Sequence, residues 1–292
     1  MNTATRTAHL GRIDRAVALL ERAIADGGEL PDLARLAEAA AFSPFHFHRV
    51  YRALTGETVG RTVARLRLLR GLRLLAAPGA AVTDAALAVG YETPQAFARA
   101  FREALGATPS ELRRDPARIA AEMERLSRPP APVSAAVPLR VEVVSVEPFR
   151  VAALRSVGPA QDLDQAYGRL FAWAGARGLL DRLAGLYGVP WSDRSEAGAD
   201  CVFDCMLAFD AGFADDPDAG VRAQTLGGGR YARVRHVGPF AGLEPLIDRI
   251  IAEWLPAHGQ TLRDAPIHEA YLDDPEHTPE TLLRTDVFVP LG

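Results

Sequence analysis

Apolar positions along the chain change their period once. From residue 10 to residue 126 they recur at intervals of three and four, the spacing of one face of a helix. Ile13, Val17, Leu20 and Ile24 form the first such row and predict an amphipathic N-terminal helix. Further helical rows cover 32–41, 60–77 and 83–90. Beyond residue 139, short β-type runs interleave with longer amphipathic stretches at 162–178 and 242–259. The two regimes meet at "SRPPAPVSAAVP" (127–138), which holds four prolines and neither period, so it predicts an extended, semi-rigid linker. The expectation is a multidomain chain with an all-α domain at 1–126, a linker at 127–138 and an α+β domain at 139–292.

The helical part repeats itself. "SPFHFHRVYRALTG" (43–56) aligns with "TPQAFARAFREALG" (93–106) at an offset of fifty. Ser or Thr followed by Pro starts a helix: the hydroxyl caps free N–H groups, and proline at the first helical position forfeits no hydrogen bond. Glycine at 56 and 106 ends each one. In the first copy Phe47, Val50, Tyr51 and Leu54 make a core stripe, while Phe45, His48, Arg49 and Arg52 are expected to point outward. The outward row of the second copy is Gln95, Ala98, Arg99 and Arg102. Each copy follows a short helix and a tight turn, and a short helix, a turn and a second helix with a basic outer row make a helix-turn-helix unit. Two such units are thus expected, joined by a linker helix over 60–77. A helix of that length spans roughly 25 Å, which with its flanking turns separates two reading helices by about one turn of DNA.

His46 and His48 invite a metal-site reading, but residues two apart diverge by about 200° around a helix and cannot clamp one ion together. His46 falls beside Val50 at the edge of the packing, and His48 falls in the outward row.

Charge sharpens the division. Residues 1–128 hold 19 Arg against 14 Asp and Glu, or +5, and residues 129–292 hold 14 against 23, or −9; every basic residue is arginine. A basic first half suits a polyanion and an acidic second half does not. Two cysteines, Cys201 and Cys205, cannot make a disulfide framework, and their spacing puts them on one strand face with Phe203 and Leu207 as core. No apolar run is long enough for a membrane span, and the N-terminus has no secretory h-region, so a cytoplasmic location is expected. No phosphate loop, nucleophile elbow or HExxH motif occurs, and neither cofactor nor metal is expected.

Residues 10–115, above all "VTDAALAVGYETPQAFARAFREALGATPSELR", resemble the DNA-binding domain of AraC/XylS-family transcription regulators. The resemblance implies that Phe45, His48 and Arg49, and Gln95 and Arg99, read base edges of double-stranded DNA; Arg52 and Arg102 complete the two outward rows as further DNA-binding candidates, and RNA polymerase is an expected further partner. Two departures from the family pattern matter. Ala41 stands where the first turn often has glycine, which predicts altered turn geometry. Pro94 and Ala98 stand where polar base contacts could sit, so the second helix is expected to read fewer bases.

The second half also repeats. "PFRVAALRSVGPA" (148–160) and "GRYARVRHVGPF" (229–240) align at an offset of eighty, each closed by Gly-Pro and followed by a helix. Two β-α-β-β units forming one sheet, with helices on one side, satisfy this pattern and leave a cleft on the pseudo-twofold axis. "GGGRYARVRHVGPF", "EWLPAHG" and "PIHEAYLDDP" resemble the GyrI-like effector-binding domain over essentially all of 140–292. The resemblance implies a small-molecule effector, often cationic and aromatic, met by a glutamate that falls here at Glu269. Strand alternation puts Tyr271 on the same face as Glu269. A buried carboxylate needs a partner, which a cationic ligand would supply, with aromatic rings adding cation–π attraction. Tyr187 and Trp191 are the candidate rings from the first unit. The function expected is a ligand-responsive, DNA-binding transcription regulator without catalytic residues. A small-molecule hydrolase, or a protein-interaction module, fused to a DNA-binding domain is the alternative.

Overall fold

The computed structural model describes residues 3–43, 46–130, 138–192 and 201–292, with side chains from residue 9 onward. Phe45, most of the expected linker and residues 193–200 lie outside that set. The chain divides into two compact units: Thr7–Phe47 with Leu54–Pro132, and Met1–Arg6 with His48–Ala53 and Val133–Gly292.

The N-terminal region is all helical: α1 (Thr3–Asp26), α2 (Leu33–Ala39), α3 (Phe47–Thr55), α4 (Val59–Leu75), α5 (Val82–Ala88), α6 (Pro94–Leu105), α7 (Pro109–Leu112) and α8 (Pro116–Ser127). Caps explain most of the starts. Asp32, Thr58, Thr93, Thr108 and Asp115 each accept a backbone N–H three residues on, and Pro94, Pro109 and Pro116 occupy first-turn positions. α6 ends at Gly106, whose φ of 65° is the left-handed value that favours glycine. Phe97, Phe101 and Leu105 bury the inner face of α6 against Leu68, Leu69 and Leu72 of α4 and Ala85, Ala86 and Val89 around α5. Gly71 allows this approach, because a Cβ there would lie 3.0 Å from the Phe97 ring and 3.1 Å from that of Phe101. The turn after α2 holds Ala41 at φ 52°, so alanine keeps the left-handed conformation usual for glycine instead of altering the turn.

The C-terminal region is a curled antiparallel sheet with helices. Its strands are β1 (Glu142–Val146), β2 (Phe149–Gly158), β3 (Leu183–Pro190), β4 (Cys201–Phe209), β5 (Val221–Leu226), β6 (Gly229–Val237), β7 (His268–Tyr271) and β8 (Arg284–Pro290), in the order β1-β6-β8-β7-β3-β4-β2-β5. Helix α9 (Leu163–Ala176) follows β2, and α10 (Leu243–Arg249) follows β6. α10 runs into a π turn over Ile250–Trp254, just before Pro256, whose missing N–H cannot continue the regular ladder.

One sheet face packs on α9 through Ala152, Leu154, Cys201, Phe203, Cys205 and Leu207 against Ala166, Leu170 and Trp173. The opposite face has a smaller core of Val151, Ala153, Val189, Met206 and Ala208, joined by Phe149, Tyr187 and Trp191. Both cysteines are buried without a disulfide, and burial, with Asp204 alongside, raises the Cys205 thiol to about 12. Among the described residues no helix is long and apolar enough to cross a membrane.

Candidate functional site

β3 and β7 are the two central strands of the sheet, and Gly188 of β3 lies directly opposite Glu269 of β7. Glu269 is fully buried. The Tyr271 hydroxyl donates to its Oε2 at 2.6 Å, a short bond of the charge-assisted kind. Two more rings gather around Tyr271: Tyr167 of α9, edge-on at 6.2 Å, and Phe240, edge-on at 5.4 Å. Tyr167 donates its own hydroxyl to the Tyr187 carbonyl at 2.8 Å. Burial drives the Tyr167 pKa well above the usual phenol value, and nearby Tyr271, Cys205 and Glu269 push the same way, so the hydroxyl stays a donor. Gly188 makes room for this arrangement: a Cβ there would stand 2.4 Å from the Phe203 ring and 2.9 Å from the Tyr271 hydroxyl. The result is a fully buried carboxylate hydrogen-bonded to a tyrosine that two further aromatic rings flank.

Tyr187 and Trp191 do not join this group. Strand side chains alternate, and Gly188 is the β3 residue on the Glu269 face, so odd-numbered neighbours point the other way. The Tyr187 ring meets Phe149 at 5.0 Å and His268 at 6.4 Å, and Trp191 donates Nε1 to Asp204 at 2.7 Å. Sequence reasoning missed Tyr167 and Phe240. Tyr167 falls at helical spacing with Leu163, Leu170 and Ala174, an apolar row in which only its hydroxyl marks it as more than core.

On α6 the expected outer row is exposed: Gln95, Arg99 and Arg102 all face solvent, and Ala98 is half-buried. On α3 the outward expectation fails. His48, Arg49 and Arg52 are buried, as is His46. His48–Ala53 belongs to the unit that contains the sheet, and there Arg52 pairs with Asp248 at 2.9 Å and Glu244 at 3.2 Å, both on α10. Arg49 donates to the Pro190 carbonyl. Ion pairing and hydrogen bonding satisfy these guanidinia, which lets them leave water. Among the described residues one trio of ligating side chains converges, Asp274, Glu276 and His277. All three are exposed, and Asp274 and His277 are hydrogen-bonded to each other at 2.6 Å.

The profile of the GyrI-like small molecule binding domain matches residues 140–291, more than half of the chain. The chain belongs to the GyrI-like family. A helix-turn-helix domain, of AraC type, matches residues 36–115. The chain is 32% identical over 156 residues to the probable transcriptional regulator YgiV of Escherichia coli K12, covering 53% of this chain and 97% of that protein. It is 31% identical over 78 residues to the regulatory protein SoxS of Salmonella typhimurium, covering 27% of this chain and 73% of SoxS. A hydrolase of known structure from Listeria innocua superposes on 54% of this chain and 94% of its own at 18% identity, with a TM-score of 0.38. In this GyrI-like protein the buried carboxylate and its rings therefore lie within the domain that defines the family, and the exposed basic row of α6 lies within the helix-turn-helix match.

Proposed function

We propose that the chain is a ligand-responsive transcription regulator in which Glu269, Tyr271, Tyr167 and Phe240 receive a small organic cation and the helical region binds DNA. The observation that carries the reading is the fully buried Glu269 carboxylate among aromatic rings. Residues 1–126 act as a double helix-turn-helix domain, 127–138 as the linker and 139–292, two β-α-β-β repeats, as the receptor. Gln95, Arg99 and Arg102 of α6 meet a major groove. α3 enters the adjacent groove where His48, Arg49 and Arg52 exchange their present partners for DNA, with α4 setting the spacing. Phosphate contacts from arginine dominate affinity and make it fall steeply with salt. RNA polymerase is the natural further partner of a regulator bound at a promoter. Receptor rather than hydrolase is the reading that relatives named as regulators support.

The experiment measures operator affinity of the full chain with and without tetraphenylphosphonium, a bulky aromatic cation. The cation changes that affinity, and Glu269→Gln weakens cation binding by about tenfold or more while leaving DNA binding by the unliganded protein intact. A Glu269→Gln protein that responds to the cation like the parent rules the assignment out. Regulation requires differential affinity for two states, so an unchanged operator affinity rules out the ligand-responsive part.

A further inference from the structure

The sheet face opposite α9 carries a second opening, away from Glu269. Arg155 of β2, Asp204 of β4, and Arg222 and Gln224 of β5 line a cavity of about 450 Å³. Ala153 contributes an apolar patch, and Asp215, Pro217 and Gly220 of the β4–β5 connection complete the lining. Arg155 is locked in place. Its Nε and Nη2 donate to the two Asp204 oxygens at 2.8 and 2.9 Å, and its guanidinium lies 5.2 Å from the Trp191 ring centre. Half of its side chain, 54%, remains exposed. Arg222 sits opposite Ala153, diagonal to Arg155 on the same face. Among the described residues its side chain makes no hydrogen bond or ion pair.

The second repeat supplies an internal comparison. Eighty residues on, Arg235 repeats the pattern of Arg155 and grips Asp286 through two bonds of 2.8 Å. The counterpart of Ala153 is Arg233, and the residue facing it on the edge strand is Glu142 in place of Arg222. Arg233 and Glu142 pair with each other, so that corner of the sheet is filled and its charge is closed. In the first repeat a small alanine leaves space, and the facing cation has no partner among the described residues. Asp204 is fully occupied by Arg155 and Trp191, and the Ala223 amide ties down Asp215 at 2.7 Å. Two arginines and two aspartates balance in the lining, so the cavity accommodates one added negative charge beside Arg222 and disfavours a dianion.

We propose that this cavity binds a small organic monocarboxylate, gripped by Arg222 and the open edge of Arg155, with its apolar body against Ala153. Planar guanidinium forks match carboxylate geometry, and Arg155 is preorganised for the contact. The test is calorimetric titration of the full chain with acetate, lactate and benzoate, with inorganic phosphate in parallel. At least one monocarboxylate binds and phosphate binds more weakly. Arg222→Ala weakens the carboxylate about tenfold or more. The double change Ala153→Arg with Arg222→Glu, which copies the pair of the second repeat, removes binding, and Glu269→Gln leaves it unchanged. Thermal melts show that each variant is folded, and Arg222→Ala at an exposed position decides the matter by itself if the double variant is not. The proposal is overturned if none of the three carboxylates binds, if Arg222→Ala binds like the parent, if phosphate binds more tightly, or if Glu269→Gln alone removes binding.

Discussion

His268 is held neutral by its surroundings. It is almost fully buried, stacked 4.8 Å from the Phe288 ring and edge-on to Tyr231, and burial lowers its pKa from 6.5 to about 4, against a smaller opposing effect of a hydrogen bond to the Pro266 backbone. The unfolded chain therefore takes up the proton first as pH falls. This contribution to stability is fully present above pH 6.5 and is lost down to pH 4, amounting to about 3 kcal/mol across that window. Urea unfolding at a series of pH values checks it: His268→Phe gives a flatter profile than the parent between pH 7 and pH 4.5. Ala41 carries a different cost. Its φ of 52° strains a side chain that Gly90, at φ 80° after α5, avoids. Ala41→Gly stabilises the protein by about 1 kcal/mol, read as a higher urea midpoint with an unchanged slope.

At the scale of elements, α6 is the helix whose exposed face makes the sharpest prediction. Arg99→Ala removes a guanidinium that pairs with nothing in the described structure, so the melting temperature holds while operator affinity falls by about tenfold in a gel-shift series. The core stripe of α3, Phe47, Val50, Tyr51 and Leu54, was legible in the sequence because local periodicity alone dictates it, and all four are buried. So was the pairing of Glu269 with Tyr271, two apart on one strand. Tyr187 and Trp191 were misassigned because strand parity places a side chain only once the cross-strand neighbour is known, and that neighbour, Gly188, has no side chain to announce itself. The burial of Arg52 was illegible for a related reason: Asp248 lies 196 residues away, and nothing in the local pattern of α3 registers it.

At the scale of the whole molecule, the C-terminal sheet is one continuous ladder whose outermost strands, β1 and β5, edge different halves. β1 directly precedes β2 in sequence yet lies at the far end of the sheet from it, beside β6, pairing Glu142 with Arg233 across 91 residues. That separation has a kinetic consequence. Closing so long a loop is entropically costly, and the contact is repaid only after β6 has formed, so β1 joins the sheet late in folding. Val144→Ala therefore speeds unfolding and leaves the refolding rate nearly unchanged, which the two arms of a chevron plot measure directly. Until that strand arrives, the nascent chain presents the bare edge of β6, an open template for pairing with a second molecule, and the interval before β1 docks is when aggregation competes with folding.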